Sequence, residues 1–352
     1  MSVLRIVGEE LIAEEDYRSI ASEQPAYVSE MQAAFLPAQQ DVTPYVPIGP
    51  GKPLTIEIRH VYTGKYPKNG LFGSHKDVAV VSGVRDYSVF AATARALNFI
   101  ERGQKARSNL KTPSAFNDGT PVVAHYPALA TDSLTLSIEI AVDDFPQDFV
   151  DELGGAFETL GGVPLMLPYT GFLLGAGEIL KLAGGIGNAL FDGQPEFSMT
   201  DPLNFNIPGS IIPTADFRLL TQSDVLRLDY KYDDAQGLVH KQTGARYDGD
   251  DPYVVISLDG APRPSLAEFA ATAASASILK RFFNIGADTR TPIATIVEGI
   301  KLASDMRFRD KAIAVKKALD ALPADSPDRA KLQLQYEALR KNIGNDVLKL
   351  KD

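Results

Sequence analysis

The sequence predicts a mainly β protein with α: an antiparallel β-sandwich that carries an inserted helical hairpin and is followed by an α-helical C-terminal region. Three observations lead there. Short segments of period-two alternation recur between residues 53 and 262. Gly, at 28, and Pro, at 23, are frequent enough to punctuate many turns. Beyond Pro264 the chain shifts to helical spacing up to its last residues. The expected organisation is an N-terminal appendage and linker over 1–52, the sandwich over 53–262 with its helical insertion at 148–192, and a helical region over 263–352.

In the appendage, 9–22 is acidic and mildly amphipathic, and 26–35 suits a short helix. Pro37, Pro44, Pro47, Pro50 and Pro53 then break regular structure and read as a strap or linker. The first strand is Leu54 to Val61, with Leu54, Ile56, Ile58 and His60 alternating against Thr55, Glu57, Arg59 and Val61. A Gly/Lys-rich loop covers 62–74 and a second strand covers 78–84. The stretch 91–100 suits either a helix, by its alanines, or a strand leading into the basic loop of Arg102, Lys105 and Arg107. Strands follow at 122–128 and 134–142. In the latter, Leu134, Leu136, Ile138 and Ile140 occupy one face.

The insertion reads as a helix over 149–160, a Gly-Gly-Val-Pro break at 161–164, and a longer, Gly-rich helix over 170–191. Strand character returns at 197–205, 210–221, 225–230 and 252–258. Ser265 is placed to cap a helix reaching about 283, and 292–304 is a further helix. Two final helices, 306–322 and 327–342, are joined by a Pro-Ala-Asp-Ser-Pro turn, with Ser326 as cap and Pro327 in the first helical position.

Composition narrows the function. The 352 residues include no Cys, which excludes disulfides, thiol nucleophiles and thiolate metal sites. Four scattered His do not suggest a multi-histidine cage, and a net charge of −10 argues against nucleic acid as a partner. From residue 306 onward there are eleven Lys or Arg against seven Asp or Glu, so a tail of +4 is joined to a body of −14. The N-terminal residues show no basic stretch followed by a long apolar run, so a cytoplasmic location is expected by default, and the absence of Cys also fits leaderless export.

Asp248, Asp250 and Asp251 crowd one polar turn, and Asp259 follows the strand that comes next. Carboxylates clustered on loops suit a hard cation such as calcium, although Asp-Gly-Asp-Asp-Pro is also ordinary turn chemistry. The run Asp251-Pro252-Tyr253-Val254 resembles the Asp-Pro-Tyr-Val strand start of C2 domains, and Leu54 to His60 looks like their opening strand. The resemblance implies a β-sandwich that binds calcium and lipid, or protein partners, with Asp251 as the calcium ligand carried over. The two segments lie much farther apart here than in that family, which implies a large insertion or a different sandwich.

The apolar stretch 165–190 has the length to cross a bilayer, but Pro168, Glu178, Lys181 and Asn188 interrupt it. It reads as a hairpin buried on a sheet face, or as a membrane-active hairpin. In the C-terminal helices, Phe308, Ala312, Val315, Leu319 and Leu322 form one heptad-like seam, and Leu332, Tyr336, Leu339 and Ile343 form another. The seams suit a hairpin packed on its own chain, or an arm for self-association or a protein partner through Phe308, Val315, Leu319, Leu332, Tyr336 and Leu339. His60, His75, His125 and His240 lie in no local catalytic signature, and no phosphate loop or dinucleotide fingerprint occurs. No catalytic or cofactor-binding residue is therefore assigned. The expected function is a non-catalytic binding or scaffold protein acting through the sandwich loops and the C-terminal hairpin. The alternatives are a membrane-associating or pore-forming effector, with or without calcium, and a hydrolase whose site is assembled from distant loops.

Overall fold

The computed structural model describes residues 2–24, 27–28, 30–31, 48–68, 75–86, 94–110, 119–143, 165–167, 196–205, 215–266 and 293–351. The chain is mainly β, with two antiparallel sheets and helices concentrated near the C-terminus.

The larger sheet has nine strands. Its members are β1 (Ser2–Val7), β2 (Glu10–Ala13), β3 (Leu54–Tyr62), β6 (Asn109–Leu110), β7 (Val122–Tyr126), β11 (Ala215–Thr221), β12 (Tyr230–Asp233), β13 (Gly237–His240) and β14 (Tyr253–Asp259). They run in the order β13, β12, β2, β1, β11, β14, β3, β6, with β7 also paired to β3. The smaller sheet runs β10 (Phe197–Asn204), β8 (Ser133–Asp143), β4 (Lys76–Arg85), β5 (Ala94–Gln104), β9 (Leu165–Leu167).

Both sheets contribute to one apolar core. Ile56, Ile58, Val61, Val254 and Ile256 come from the larger sheet, and Val78, Val80, Phe99, Leu136 and Ile138 from the smaller. The opposite face of the larger sheet is also buried. It curls into a nearly closed barrel around Leu4, Ile6, Phe217, Leu219, Tyr232, Leu238 and Tyr253. The alternation in β8 is realised: Leu134, Leu136, Ile138 and Ile140 are buried while Ser133, Thr135 and Ser137 are half-buried. β10 holds Pro202 on an edge strand, where its missing N–H breaks no interior ladder.

Several elements differ from the sequence expectation. Residues 2–13 are no appendage, because β1 and β2 lie inside the larger sheet and β1 pairs with β11 from Ser2↔Thr221 to Ile6↔Phe217. The stretch 91–100 resolves as strand β5 over its described part, and Arg102 continues it. The expected strand at 225–230 is instead a short helix, α2 (Leu226–Asp229), leading into β12. A strand would put Leu226 and Leu228 on one face. In the helix they point apart, so Leu226 is buried and Leu228 is exposed.

The alternation of β3 is broken by a bulge at Arg59, where the register against β14 steps from His60↔Val255 to Ile58↔Ile256. Val61 thereby joins Ile58 in the shared core, and His60 turns to the barrel side with Tyr62. The two segments that resemble a C2 domain are direct neighbours in this sheet, β3 against β14.

At the C-terminus, the two expected helices 292–304 and 306–322 form one helix, α3 (Ile293–Ala321), followed by α4 (Asp328–Lys341). The polar Ser304-Asp305 pair is not a helix boundary. Asp305 is buried and accepts the backbone N–H groups of Gly344 and Asn345, which ties the chain end to α3. No side chain caps α4, so Ser326 does not act as expected. Of the insertion 148–192, only β9 is described, and it pairs with β5 from Arg95↔Leu167 to Leu97↔Leu165. The two expected insertion helices lie outside the described residues, as does the expected helix 265–283 beyond Leu266. Among the described residues no helix is long and apolar enough to cross a membrane.

A buried ionic network joins the two sheets. Arg5 and Arg218 are cross-strand partners on β1 and β11. Arg218 binds Asp216 at 2.8 Å and Asp201, on β10 of the smaller sheet, at 2.6 Å. Arg5 pairs with Asp216 and, at 2.7 Å, with Glu14 at the start of α1 (Glu14–Glu23).

Candidate functional site

The structure separates the four aspartates proposed as metal ligands. Asp248 and Asp250 are exposed on the turn before β14, and Asp251 is half-buried there. Asp259 lies at the far end of β14, a strand of seven residues spanning about 20 Å at roughly 3.3 Å per residue. It is buried, holds Arg263 at 2.6 Å and accepts the Ala261 N–H at 2.7 Å. Asp250 is held by Arg107 at 2.9 Å. The four therefore do not converge, and among the described residues no group of three or more His, Asp or Glu is placed to hold a metal ion.

The helical seams are also occupied. Phe308, Val315, Tyr336 and Leu339 are buried together with Ala128 and Ala130, and Leu332 packs against this cluster. Leu319 is buried as well. Lys331 to Asp132 at 2.6 Å and Gln335 to the Ala130 carbonyl fasten α4 to the loop between β7 and β8. Five of the six residues expected to receive a partner are thus buried in the chain's own packing, and Leu332 is half-buried against it.

The histidines fall into separate structural roles. His60 meets Asn109 at 2.8 Å, and burial holds its imidazole below the ordinary range. His240 Nδ1 accepts the N–H groups of Gln242 and Thr243 in a turn, and His75 is exposed just before β4. His125 Nδ1 lies 3.0 Å from the Thr55 hydroxyl. Thr55 sits between His125 and Asp259 in the strand register, a row reminiscent of a nucleophile, base and acid. Thr55 is fully buried, however, and Asp259 is engaged by Arg263, so the row is a satisfied polar layer and not an open catalytic pair.

Burial, with the Arg263 cation adding to it, pushes the His125 imidazole down to about 4. The folded chain then keeps His125 neutral while the unfolded chain protonates it near the ordinary value of about 6.5. The unfolded state binds more protons between those limits, so stability rises with pH across that window and is lost as pH falls through it. We expect His125→Gln to flatten the urea-unfolding stability profile between pH 4 and 6.5 relative to wild type. An unchanged slope would contradict the neutral, buried assignment.

The strongest constellation is a platform of three loops at one end of β3 and β14. It comprises 63–68 after β3, 105–108 between β5 and β6, and 247–252 before β14. Their backbones interlock. Lys65 N–H donates to the Asp250 carbonyl at 2.9 Å, Arg107 N–H to the Gly64 carbonyl at 2.6 Å, and Thr63 N–H to the Ser108 carbonyl at 3.0 Å. Ser108 N–H returns a bond to Thr63 Oγ1 at 2.9 Å. Gly64 has a φ of +57°, and a Cβ there would lie 2.4 Å from the Asp250 carbonyl oxygen, so only glycine permits this approach.

An aromatic cluster supports the platform from inside the barrel. Tyr62 stacks on Tyr253 with ring centres 5.2 Å apart and meets the edge of Tyr247 at 5.2 Å. Burial pushes the Tyr62 phenol up, so it remains protonated and donates to the Gly249 carbonyl at 2.8 Å. Tyr247 Oη accepts the Asp251 N–H. The turn at 247–251 is therefore set by hydrogen bonds to two tyrosines.

The rim of the platform exposes Lys65, Lys68, Lys105 and Arg107 beside Asp248 and Asp250. The ammonium groups of Lys65 and Lys68 lie 5.4 and 5.8 Å from the centre of the buried Tyr66 ring. Arg107 has a φ of +65°, the single non-glycine residue in that region among the described residues. The sequence shows two basic loops about forty positions apart, yet it offers no sign that they meet. Only the pairing of β6 with β3 brings them together.

In sequence, the chain matches no known protein-family model and no curated protein.

Proposed function

We propose that the chain is a non-catalytic binding module, a β-sandwich scaffold that recognises a macromolecular partner through the 63–68, 105–108 and 247–252 platform. The carrying observation is the interlocking of three sequence-distant loops into one surface with Arg107 held in a left-handed conformation. Backbone strain at an exposed charged residue is retained where the side chain serves a purpose. A surface locked by its own hydrogen bonds loses little entropy on binding. The Thr55–His125 layer and the Arg5–Arg218 network contribute stability, and the α3–α4 hairpin braces the scaffold through its seams.

The test compares full-length wild type with a Lys65→Glu, Lys105→Glu, Arg107→Glu variant. Cross-linking in lysate, read by mass spectrometry, is expected to yield partners with wild type that the variant loses, while the two share a thermal midpoint. Identical partner sets would refute the platform as the recognition surface.

A further inference from the structure

Resting on that platform, we infer that its partner is an acidic peptide segment, and that Asp250 is an internal occupant which the partner's carboxylate displaces from Arg107. Four cations are exposed on two loops that their backbones join, Lys65 and Lys68 on one and Lys105 and Arg107 on the other, in a chain whose net charge is −10. Local charge opposite to the bulk is what steers and registers an oppositely charged partner.

The Arg107–Asp250 pair has the form of an exchangeable contact. Arg107 Nε and Nη2 both reach the same oxygen, Asp250 Oδ1, at 3.3 and 2.9 Å. The guanidinium fork can grip a carboxylate through both of its oxygens, and here it does not. Both side chains are more than half exposed, at 55% and 66%. An exposed pair of this kind holds weakly and exchanges readily.

The backbone at Arg107 adds an independent observation. Its N–H to the Gly64 carbonyl is a main-chain contact, which glycine would preserve at no conformational cost. A purely structural turn would therefore be better served by glycine. The side chain is the reason for arginine, and a guanidinium at an exposed rim is a carboxylate or phosphate receptor.

The surroundings favour a peptide over nucleic acid. Tyr62, Tyr66, Tyr247 and Tyr253 are all buried and offer no exposed ring face on which a base could stack. Asp248 and Asp250 share the rim and would repel a continuous phosphate backbone. Discrete carboxylates on a peptide can be spaced to avoid them.

Fluorescence anisotropy of the full chain with a fluorescein-labelled oligoglutamate peptide, its glutamates separated by Gly-Ser spacers, tests the inference, with an oligolysine peptide and a single-stranded oligonucleotide as comparators. Wild type is expected to bind oligoglutamate in a salt-dependent manner and neither comparator. Asp250→Asn is expected to tighten binding about two- to fivefold, the strength of an exposed ion pair. Arg107→Gly is expected to weaken it at least about tenfold with the thermal midpoint unchanged or raised. Absence of oligoglutamate binding, equal or tighter binding of the oligonucleotide, or unaltered binding by Arg107→Gly would each overturn the inference. If the triple-glutamate variant still loses its lysate partners in that case, the platform reading survives. If it keeps them, both fail.

Discussion

Asp216→Ala is expected to destabilise the full chain by about 3–5 kcal/mol, the cost of leaving a buried charge without its partner. Asp216 is 3% exposed and is held by both Arg5 and Arg218, themselves 8% and 6% exposed. Removing it leaves two guanidinium groups between the sheets with Glu14 and Asp201 as their counter-charges among the described residues. Equilibrium denaturant unfolding gives the value, and a loss below about 1 kcal/mol, typical of a surface pair, would refute the argument.

The same network sets an acid limit. Burial alone would raise the Asp216 carboxyl, but Arg218 and Arg5 outweigh it and hold it below the ordinary range. Glu14 is lowered in the same way, burial again being exceeded by its bonds to Arg5. A carboxyl whose folded value is depressed stabilises the fold above its unfolded value and ceases to do so as pH falls through the folded one. That stability is lost below about pH 4. Asp201 works in the opposite sense, because burial outweighs Arg218 and raises its carboxyl. Acid unfolding of Asp216→Asn should therefore be less steep below pH 4 than that of wild type.

Phe308→Ala is expected to cost about 3–5 kcal/mol, the transfer term plus the cavity left behind. Phe308 is fully buried in the cluster that holds α3 and α4 against Ala128 and Ala130. The loss should be local. Hydrogen exchange in α3 and α4 should accelerate, while the β3 and β14 amides, which pair across the central sheet, keep their protection. Uniform acceleration throughout both sheets would mean that the hairpin and the sheets unfold as one unit.

Much of the architecture is legible in the residues. The alternation of β8 and the heptad spacing around Phe308 and Leu339 each correspond to an element with the expected inner face. The seam shows that a face must be buried without saying against what. Apolar periodicity specifies an inner face, and Ala128 and Ala130, more than 150 residues upstream, carry no signal that marks them as the cover. Leu226 and Leu228 show the converse. Their spacing suits a strand, and the barrel's demand for Leu226 alone selects a helix.

The aspartates divide along the same line. Asp248, Asp250 and Asp251 are visible as a polar turn, and the structure keeps them as one. Asp201 is less visible. It occupies an inward position of β10, between Met199 and Leu203, where alternation calls for an apolar side chain. Its partner Arg218 lies on a strand of the other sheet, so the reason for a buried carboxylate there is non-local.

By itself, the sequence determined the antiparallel β character, the helical C-terminus, the Asp-Gly turn and the exclusion of thiol chemistry, because each depends on neighbours within a few residues. The tertiary structure alone decided the bulge at Arg59 that turns His60 to the barrel side, and the meeting of the Lys65 and Arg107 loops. These depend on β3 pairing with both β14 and β6. Side-chain periodicity reports which face of a segment is buried, whereas strand partners are chosen by packing summed over the whole sheet.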